Sequence, residues 1–329
     1  MLDIMLPFWG EPRYLYETVE AVRRQTDSRW HLTIVDDCYP DPAVSEHFES
    51  LDDPRITYTR NKVNLGITAN YAHCVELATS DLMVLLGCDD IPMPNYVARI
   101  LDDHDRFPHA DIIQPGVQII DSQGRRIKPL VDAVKRMTMP RARSRRLLGG
   151  EELAVSLLRA DWLYWPSLAF KRETLASTPF RPGFPIIQDL ALVIDVVAAG
   201  GTLLLDPHMC FDYRRHEESA SSSALLDGRR FSGEQKYFAL AQHLMLRNGW
   251  TRAARAARMH STSRAHALAL LPVAVRPHAC WPHTRCAADS SCYSRVGWCA
   301  APTLTLCSAG REPASCQWRN PVEEDLPRA

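Results

Sequence analysis

Carboxylates recur where short apolar runs end. Asp3–Pro7 is followed by Glu11, Trp30–Val35 by Asp36 and Asp37, and Leu82–Leu86 by Gly87, Cys88, Asp89 and Asp90. A fourth run, Arg55–Thr59, leads instead to Asn61 and to Asn64-Leu65-Gly66. Like charges gathered on one rim repel unless a cation or a donor-rich ligand sits among them. Hard carboxylate oxygens suit Mg2+ or Mn2+, which keep positions open for phosphate oxygens. Neither GxGxxG nor GxxxxGK[ST] follows the first run, which disfavours a dinucleotide dehydrogenase or a P-loop NTPase. A nucleotide diphosphate bound here would have to be neutralised another way, and a carboxylate-held ion would serve.

These residues need a scaffold that brings them to one edge. The apolar runs alternate with helical patterns over Arg13–Gln25, Ala43–Leu51 and Gly66–Thr79, the last with an expected buried stripe of Ile67, Tyr71, Cys74, Val75 and Ala78. Leu82–Leu86 is a continuous apolar run of the kind found inside parallel sheets. Repeated strand–helix–strand order predicts an α/β, doubly wound, mostly parallel sheet flanked by helices. In such sheets ligands bind beyond the carboxyl ends of the strands, where the acids lie.

The order Pro7-x-x-x-Glu11, Val35-Asp36-Asp37, Asn64-x-Gly66 with Asn70, then Cys88-Asp89-Asp90 closely resembles the GT-A nucleotide-sugar fold of family 2 glycosyltransferases. Gln188-Asp189, opening a helix over Leu190–Ala199, is similar to the family's [E/Q]-D motif, and Tyr213-Arg214-Arg215-His216 to its late basic/His motif. The resemblance runs in order through about residues 2–275. It implies an inverting, metal-dependent transferase that moves a sugar from a UDP or dTDP donor to a hydroxyl acceptor, a glycan or lipid-linked molecule of cell-surface synthesis. Asp37 would then meet the nucleobase with Asp36 beside it, and Pro7 and Glu11 would line base and ribose. Asn64 and Gly66 complete the donor side. Asp90 would hold Mg2+ or Mn2+, Asp89 would brace ribose or metal, and His216 would be a third metal ligand, with Arg214 or Arg215 on the diphosphate. Gly87 stands where the family more often has a further acid.

Asp189 is the expected general base, since single displacement needs one carboxylate to take the acceptor's proton. A helix start favours its ionised form, and an N-cap duty is compatible with that role. Tyr164 and Trp165 fall in an aromatic-rich segment on the acceptor side, where flat rings suit sugars, although such density serves a core equally well. Cys88 reads as an inert small residue. Ser219 to Ser223 read as a loop able to close over the donor. Two rivals stay open, a sugar nucleotidyltransferase-like enzyme and a non-catalytic nucleotide-sugar-binding protein. Phe8-Trp9-Gly10-Glu11-Pro12 lacks the Gly-rich basic loop that the first would need.

With 38 Lys+Arg against 39 Asp+Glu, the 329-residue chain has a net charge of −1 and no global field for nucleic acid. Its 46% hydrophobic content suffices for a core, and no apolar run approaches the ~20 residues of a membrane span. The N-terminus shows no basic segment of a signal peptide, so a cytoplasmic site is expected, at the inner face of the plasma membrane if peripheral contact exists. Such contact is suggested by nine Lys/Arg against one acid, Asp132, over residues 125–146, and by Arg252, Arg255 and Arg258 on a helix expected over Thr251–Leu271. The expected organisation is a nucleotide-sugar half at 1–120, an acceptor half with the base at 121–225, and C-terminal helices at 226–276. The rest, 277–329, is an irregular tail whose six cysteines contain no CxxC pair and no zinc spacing.

Overall fold

The computed structural model describes residues 1–215 and 229–264. One ten-stranded sheet organises them, built from β1 (Leu2–Phe8), β2 (Trp30–Asp36), β3 (Ile56–Arg60), β4 (Leu82–Leu85), β5 (Ile91–Pro92), β6 (Ile112–Ile120), β7 (Arg126–Ile127), β8 (Arg146–Gly149), β9 (Ala169–Lys171) and β10 (Thr202–Arg214). The order is β3-β2-β1-β4-β9-β6-β10-β5, with β7 on β6 and β8 on β10. Strands β1, β2, β3, β4, β6 and β10 run one way; the opposing β5, β7, β8 and β9 are short. The mostly parallel, doubly wound expectation holds, and strands from both expected halves share the sheet.

Side-chain alternation along β1 divides the core. Leu2, Ile4, Leu6 and Phe8 face α1 (Pro12–Arg23), α2 (Pro42–Glu49) and α4 (Tyr96–Arg106). Met5 joins the opposite layer with α3 (Ile67–Leu77), α6 (Gly150–Arg159), α8 (Gln188–Ala198), α9 (Arg229–Arg247) and α10 (Thr251–Met259). Two shorter helices, α5 (Leu130–Thr138) and α7 (Arg172–Ser177), complete the set. Pro12 and Pro42 each sit in a first turn, where a missing N–H costs nothing, and Asp41 caps α2 by accepting from Ala43 N–H at 3.0 Å.

Two readings change. In α3, Ile67 is exposed and the buried line is Asn70, Cys74 and the adjoining Ala78, with Tyr71 and Val75 half-buried. A polar residue leads that line because Asn70 bonds inward to the β2–β3 side, a duty that apolar periodicity does not encode. Helix α10 stops at Met259, His260 takes a positive φ of 26°, and helix resumes over residues 261–264, the last described. Its exposed residues include Arg252, Arg255 and Arg258, while Ala253, Ala254, Ala256 and Ala257 pack inward. The apolar continuation through Leu271 lies outside the described residues, as do His216, the Ser219–Ser223 segment and the tail from 277.

Candidate active site

The carboxyl ends of β1, β2 and β4 meet through small residues and hydrogen bonds. A Cβ on Gly10 would touch Cys88 Sγ at 3.4 Å, so the β1 and β4 loops lie against each other. Burial, with Asp89 and Asp90 nearby, pushes the Cys88 thiol well up, in keeping with an inert residue. Pro7 is half-buried in register with Val35, and Glu11 is exposed just before α1. Trp9 is exposed on the same loop and meets Tyr39 edge-on, with ring centroids 5.7 Å apart.

Asp36 and Asp37 are buried and supplied with donors from the chain itself. Asp36 accepts from Tyr39 N–H at 2.6 Å and from the Tyr58 hydroxyl. Asp37 accepts from Asn61 Nδ2 and Leu65 N–H, both at 2.8 Å, and from Gly66 N–H at 2.9 Å. Both acids are thus held by the chain itself, with carboxylate lone pairs remaining for the nucleobase expected at Asp37. These acids fix the Asn61–Gly66 loop, which exposes Lys62, Val63, Asn64 and Leu65. Gly66 has φ +81° and ψ 161° at the start of α3, a backbone region open essentially to glycine alone. Asn70 ties the loop to β2, accepting from Asn61 at 2.9 Å and donating to Val35 O at 3.2 Å.

Asp90 is different. It is 1% exposed; one oxygen accepts from Arg214 N–H at 2.8 Å, and Oδ2 has no hydrogen-bond partner. Burial and the neighbouring Asp89 push its carboxyl well above the usual range. A Cβ on Gly87 would collide with that Oδ2 and lie 3.1 Å from Asp89 Oδ1. The acid missing at Gly87 and the placement of Asp90 are thus one feature: the carboxylate occupies the space that a side chain at 87 would take. An orphaned oxygen beside a second carboxylate is a donor set that a hard divalent ion fits. Among the described residues there is no group of three His, Cys, Asp or Glu that could hold a metal, so the chain there offers this pair.

Arg214 does not project to a diphosphate. Its guanidinium is buried and bonds Asp89 O at 2.7 Å, Ser122 O at 3.2 Å and Glu17 at 2.6 Å, and stacks on Tyr14 at 4.6 Å. It clamps α1, the β4–β5 loop and the β6–β7 turn around Asp90. Arg215 pairs with Asp132 through two bonds of 2.6 and 2.9 Å. Both arginines are engaged by acceptors from distant segments, which sequence spacing does not show.

Asp189 stands in the first turn of α8, half-buried. Its neighbour Gln188 accepts from Thr68 Oγ1 at 2.8 Å, joining α8 to the start of α3 and hence to Gly66 and Asp37. Tyr71, one turn along α3, lies close enough to Cys88 and Asp89 for their charges to raise its phenol further beyond what burial does. The structure therefore groups Asp37, Asp90 and the Gln188-Asp189 pair around α3 and the end of β4. Tyr164 and Trp165 correct the acceptor-side expectation, being 3% and 7% exposed. The tight turn Trp165–Ser167 points them inward, Trp165 onto Phe170 at 5.4 Å and Tyr164 through its hydroxyl to Asp132 at 3.0 Å. Sequence reasoning gave Glu17 no role, noted Asn61 only as a residue just past a strand, and read Tyr71 only as part of a buried stripe.

Residues 3–157 match the family model described as Glycosyl transferase family 2. A glycosyl transferase of Escherichia coli (strain K12), assigned provisionally to colanic acid biosynthesis, is 30% identical over 102 residues, which are 31% of this chain and 37% of that relative's length. The chain thus spans little more than a third of that protein. The S. aureus TarS structure in complex with UDP-GlcNAc superposes with a TM-score of 0.55 at 11% identity, covering 72% of this chain and 65% of that one. A mannosyltransferase from Pyrobaculum calidifontis in complex with GDP-Man and Mn2+ gives 0.53 at 16% identity, covering 83% and 78%. Residues 3–157, just under half of the chain, are thus similar to family 2 glycosyltransferases, and the described residues share the GT-A fold of these two structures.

Proposed function

We propose that this chain transfers a sugar from a nucleoside diphosphate donor, UDP or dTDP, to a hydroxyl of a glycan or lipid-linked acceptor in cell-surface synthesis, with inversion. The observation that carries the reading is the buried Asp90 oxygen without a partner beside Asp89, in the stretch similar to family 2 glycosyltransferases. Asp36 and Asp37 have donors on both oxygens; Asp103 also keeps an oxygen bare, but it is ion-paired with Arg145, whereas the bare oxygen of Asp90 lies beside Asp89 at a strand end. Relatives bound to UDP-GlcNAc and to GDP-Man support a nucleotide-sugar donor, and the second supports a divalent ion.

Asp89 and Asp90 would hold Mg2+ or Mn2+, which when bound offsets charge on the leaving diphosphate. Asp37 and Asn70 hold the Asn61–Gly66 loop in place for the donor. Exposed Trp9 offers a face for a base or sugar. Asp189, braced through Gln188 and Thr68, takes the proton of the acceptor hydroxyl, and one base on one side accounts for single inversion. Asp189→Asn is expected to abolish transfer while leaving donor affinity within a few fold, read as nucleoside diphosphate release and as nucleotide titration. Release that survives the change refutes the base. Nucleotide binding without release in any acceptor extract would make the protein a binder and overturn the transferase reading.

A further inference from the structure

Helix α5 is built inside out. Its inward side is polar: Asp132 is buried against Arg215 and the Tyr164 hydroxyl, and Lys135 Nζ donates to Leu163 O at 2.6 Å. Its apolar residues face water, Leu130 at 81% exposure, Val131 at 47%, Val134 at 41% and Met137 at 85%. At i, i+1, i+4 and i+7 they form one stripe along the helix. Burial of polar groups against an outward apolar stripe is the reverse of the usual arrangement in a water-facing helix, and among the described residues it leaves a contiguous face without a partner.

The charge around the stripe has one sign. Of the nine Lys/Arg in residues 125–146, Lys135 and Arg145 turn inward, the latter onto Asp102 and Asp103. The other seven are exposed, Arg125 paired with Asp121 just before the stretch. The only acid in the stretch, Asp132, is buried and already paired, so no carboxylate from within it offsets them. A shallow hollow of about 400 Å³, lined by Ala133, Arg136, Met137 and Arg141, lies where stripe and charge meet. Apolar side chains ringed by cations match the acyl boundary and the phosphates of an anionic leaflet. A protein partner would have to bring both an apolar groove and a ring of acids.

We infer that α5 and its basic flanks are a membrane-docking surface that seats the protein on an anionic lipid bilayer. No helix among the described residues is long and apolar enough to cross a membrane, so the seat is interfacial. Asp132 links this surface to Arg215, next to the Arg214 backbone that holds Asp90, which places the seat beside the site rim. The inference does not depend on the transfer reaction, because it is read by lipid binding alone.

The test floats the full chain with vesicles of phosphatidylcholine, or of phosphatidylcholine and phosphatidylglycerol at a ratio of about 7:3. The wild-type chain is expected to partition at least ~10-fold better onto the anionic vesicles, and to lose that preference as salt rises. Leu130→Ser, Val134→Ser and Met137→Ser together should cut binding at least ~10-fold with an unchanged melting temperature, since these side chains are exposed. Should that variant melt early, Arg136→Ala with Arg141→Ala gives the second reading, about fivefold lost per charge removed. Equal partition on neutral and anionic vesicles, no partition, or binding that survives either set of changes overturns the inference. So does self-association of the wild-type chain that the triple serine variant abolishes, which would make the stripe an interface between copies.

Discussion

Replacing Gly87 with alanine puts the arrangement at Asp90 under direct strain. The new Cβ would collide with Asp90 Oδ2 and stand 3.1 Å from Asp89 Oδ1 and 3.3 Å from Asp90 Cγ. Asp90 cannot swing away freely, because its other oxygen is held by Arg214 N–H at 2.8 Å and its own carbonyl by Thr18 Oγ1 at 2.8 Å. Relief therefore means breaking a buried hydrogen bond to a charged group, ~1.5–3 kcal/mol, or displacing packed backbone at a similar ~1–3 kcal/mol. We expect a loss of about 3 kcal/mol, a fall of roughly 6–12 °C in melting temperature for a domain of this size. Mn2+-dependent nucleotide affinity, read by titration calorimetry, should fall at least ~10-fold, because the oxygen offered to the ion is the one displaced. Gly87→Asp, which restores the family's commoner acid, should behave no better. Gly233→Ala in α9 is the control: its Cβ meets nothing within 4 Å, so a gain of ~0.5–1 kcal/mol is expected. If Gly87→Ala melts and binds like the wild-type chain, the Asp90 carboxylate does not lie under residue 87 and the cleft has been drawn wrongly.

Arg214→Lys keeps the charge but not the fork that joins Asp89 O, Ser122 O and Glu17; urea unfolding should show ~2–4 kcal/mol lost, and wild-type stability would refute the clamp. Asp37→Asn should leave the fold intact yet loosen the loop it holds, raising hydrogen exchange at Leu65 and Gly66 by about tenfold or more, with unchanged protection counting against its organising role. Burial, and then the Asp206 charge, push Asp103 up to about 6. Because its folded value lies above the unfolded one, its stabilisation is complete below about pH 4 and is lost as pH rises through about 6. Relative to Asp103→Asn, the wild-type chain should therefore lose roughly 2 kcal/mol between pH 4 and pH 7. The shift is already net of the Arg145 attraction, which opposes it; a flat difference curve would contradict the coupling.

What the sequence conveyed well was the scaffold. Apolar runs at 2–8, 30–36 and 82–85 are long enough, and separated by helical periods regular enough, that strand–helix alternation leaves one topology class. It also placed the acids at strand ends. It could not show which acids are satisfied, because that depends on donors from distant segments: Asp37 on a loop 24 to 29 positions on, Asp132 on Arg215, Asp89 O on Arg214. Arg214, Tyr164 and Trp165 were read as ligand-facing because basic and aromatic residues have the same composition whether they line a cleft or a core. The apolar face of α5 escaped notice because the basic residues around it dominate the segment, and its direction is fixed only once Asp132 is seen to point inward.

Hydrogen-bond satisfaction separates the strand-end acids in a way that position does not. Asp36 and Asp37 sit at the end of β2 as Asp90 sits past the end of β4, and all three are buried. A buried carboxylate that finds several N–H or O–H donors is stabilised as built, and its removal mainly frees those donors. One that keeps an oxygen bare costs stability unless an ion pair offsets it, as Arg145 does for Asp103, and elsewhere an ion from outside the fold would offset it. Asp90 is that case, and the surrounding structure holds it there: Thr18 and Arg214 fix its backbone and one oxygen, and Gly87 leaves room for the other. The same reasoning applies to α5, where apolar rather than polar groups lack a partner. In both places the fold carries an unfavourable feature, and in both the chemistry of the unmet group specifies what would relieve it: a hard cation at Asp90, and an anionic bilayer at α5.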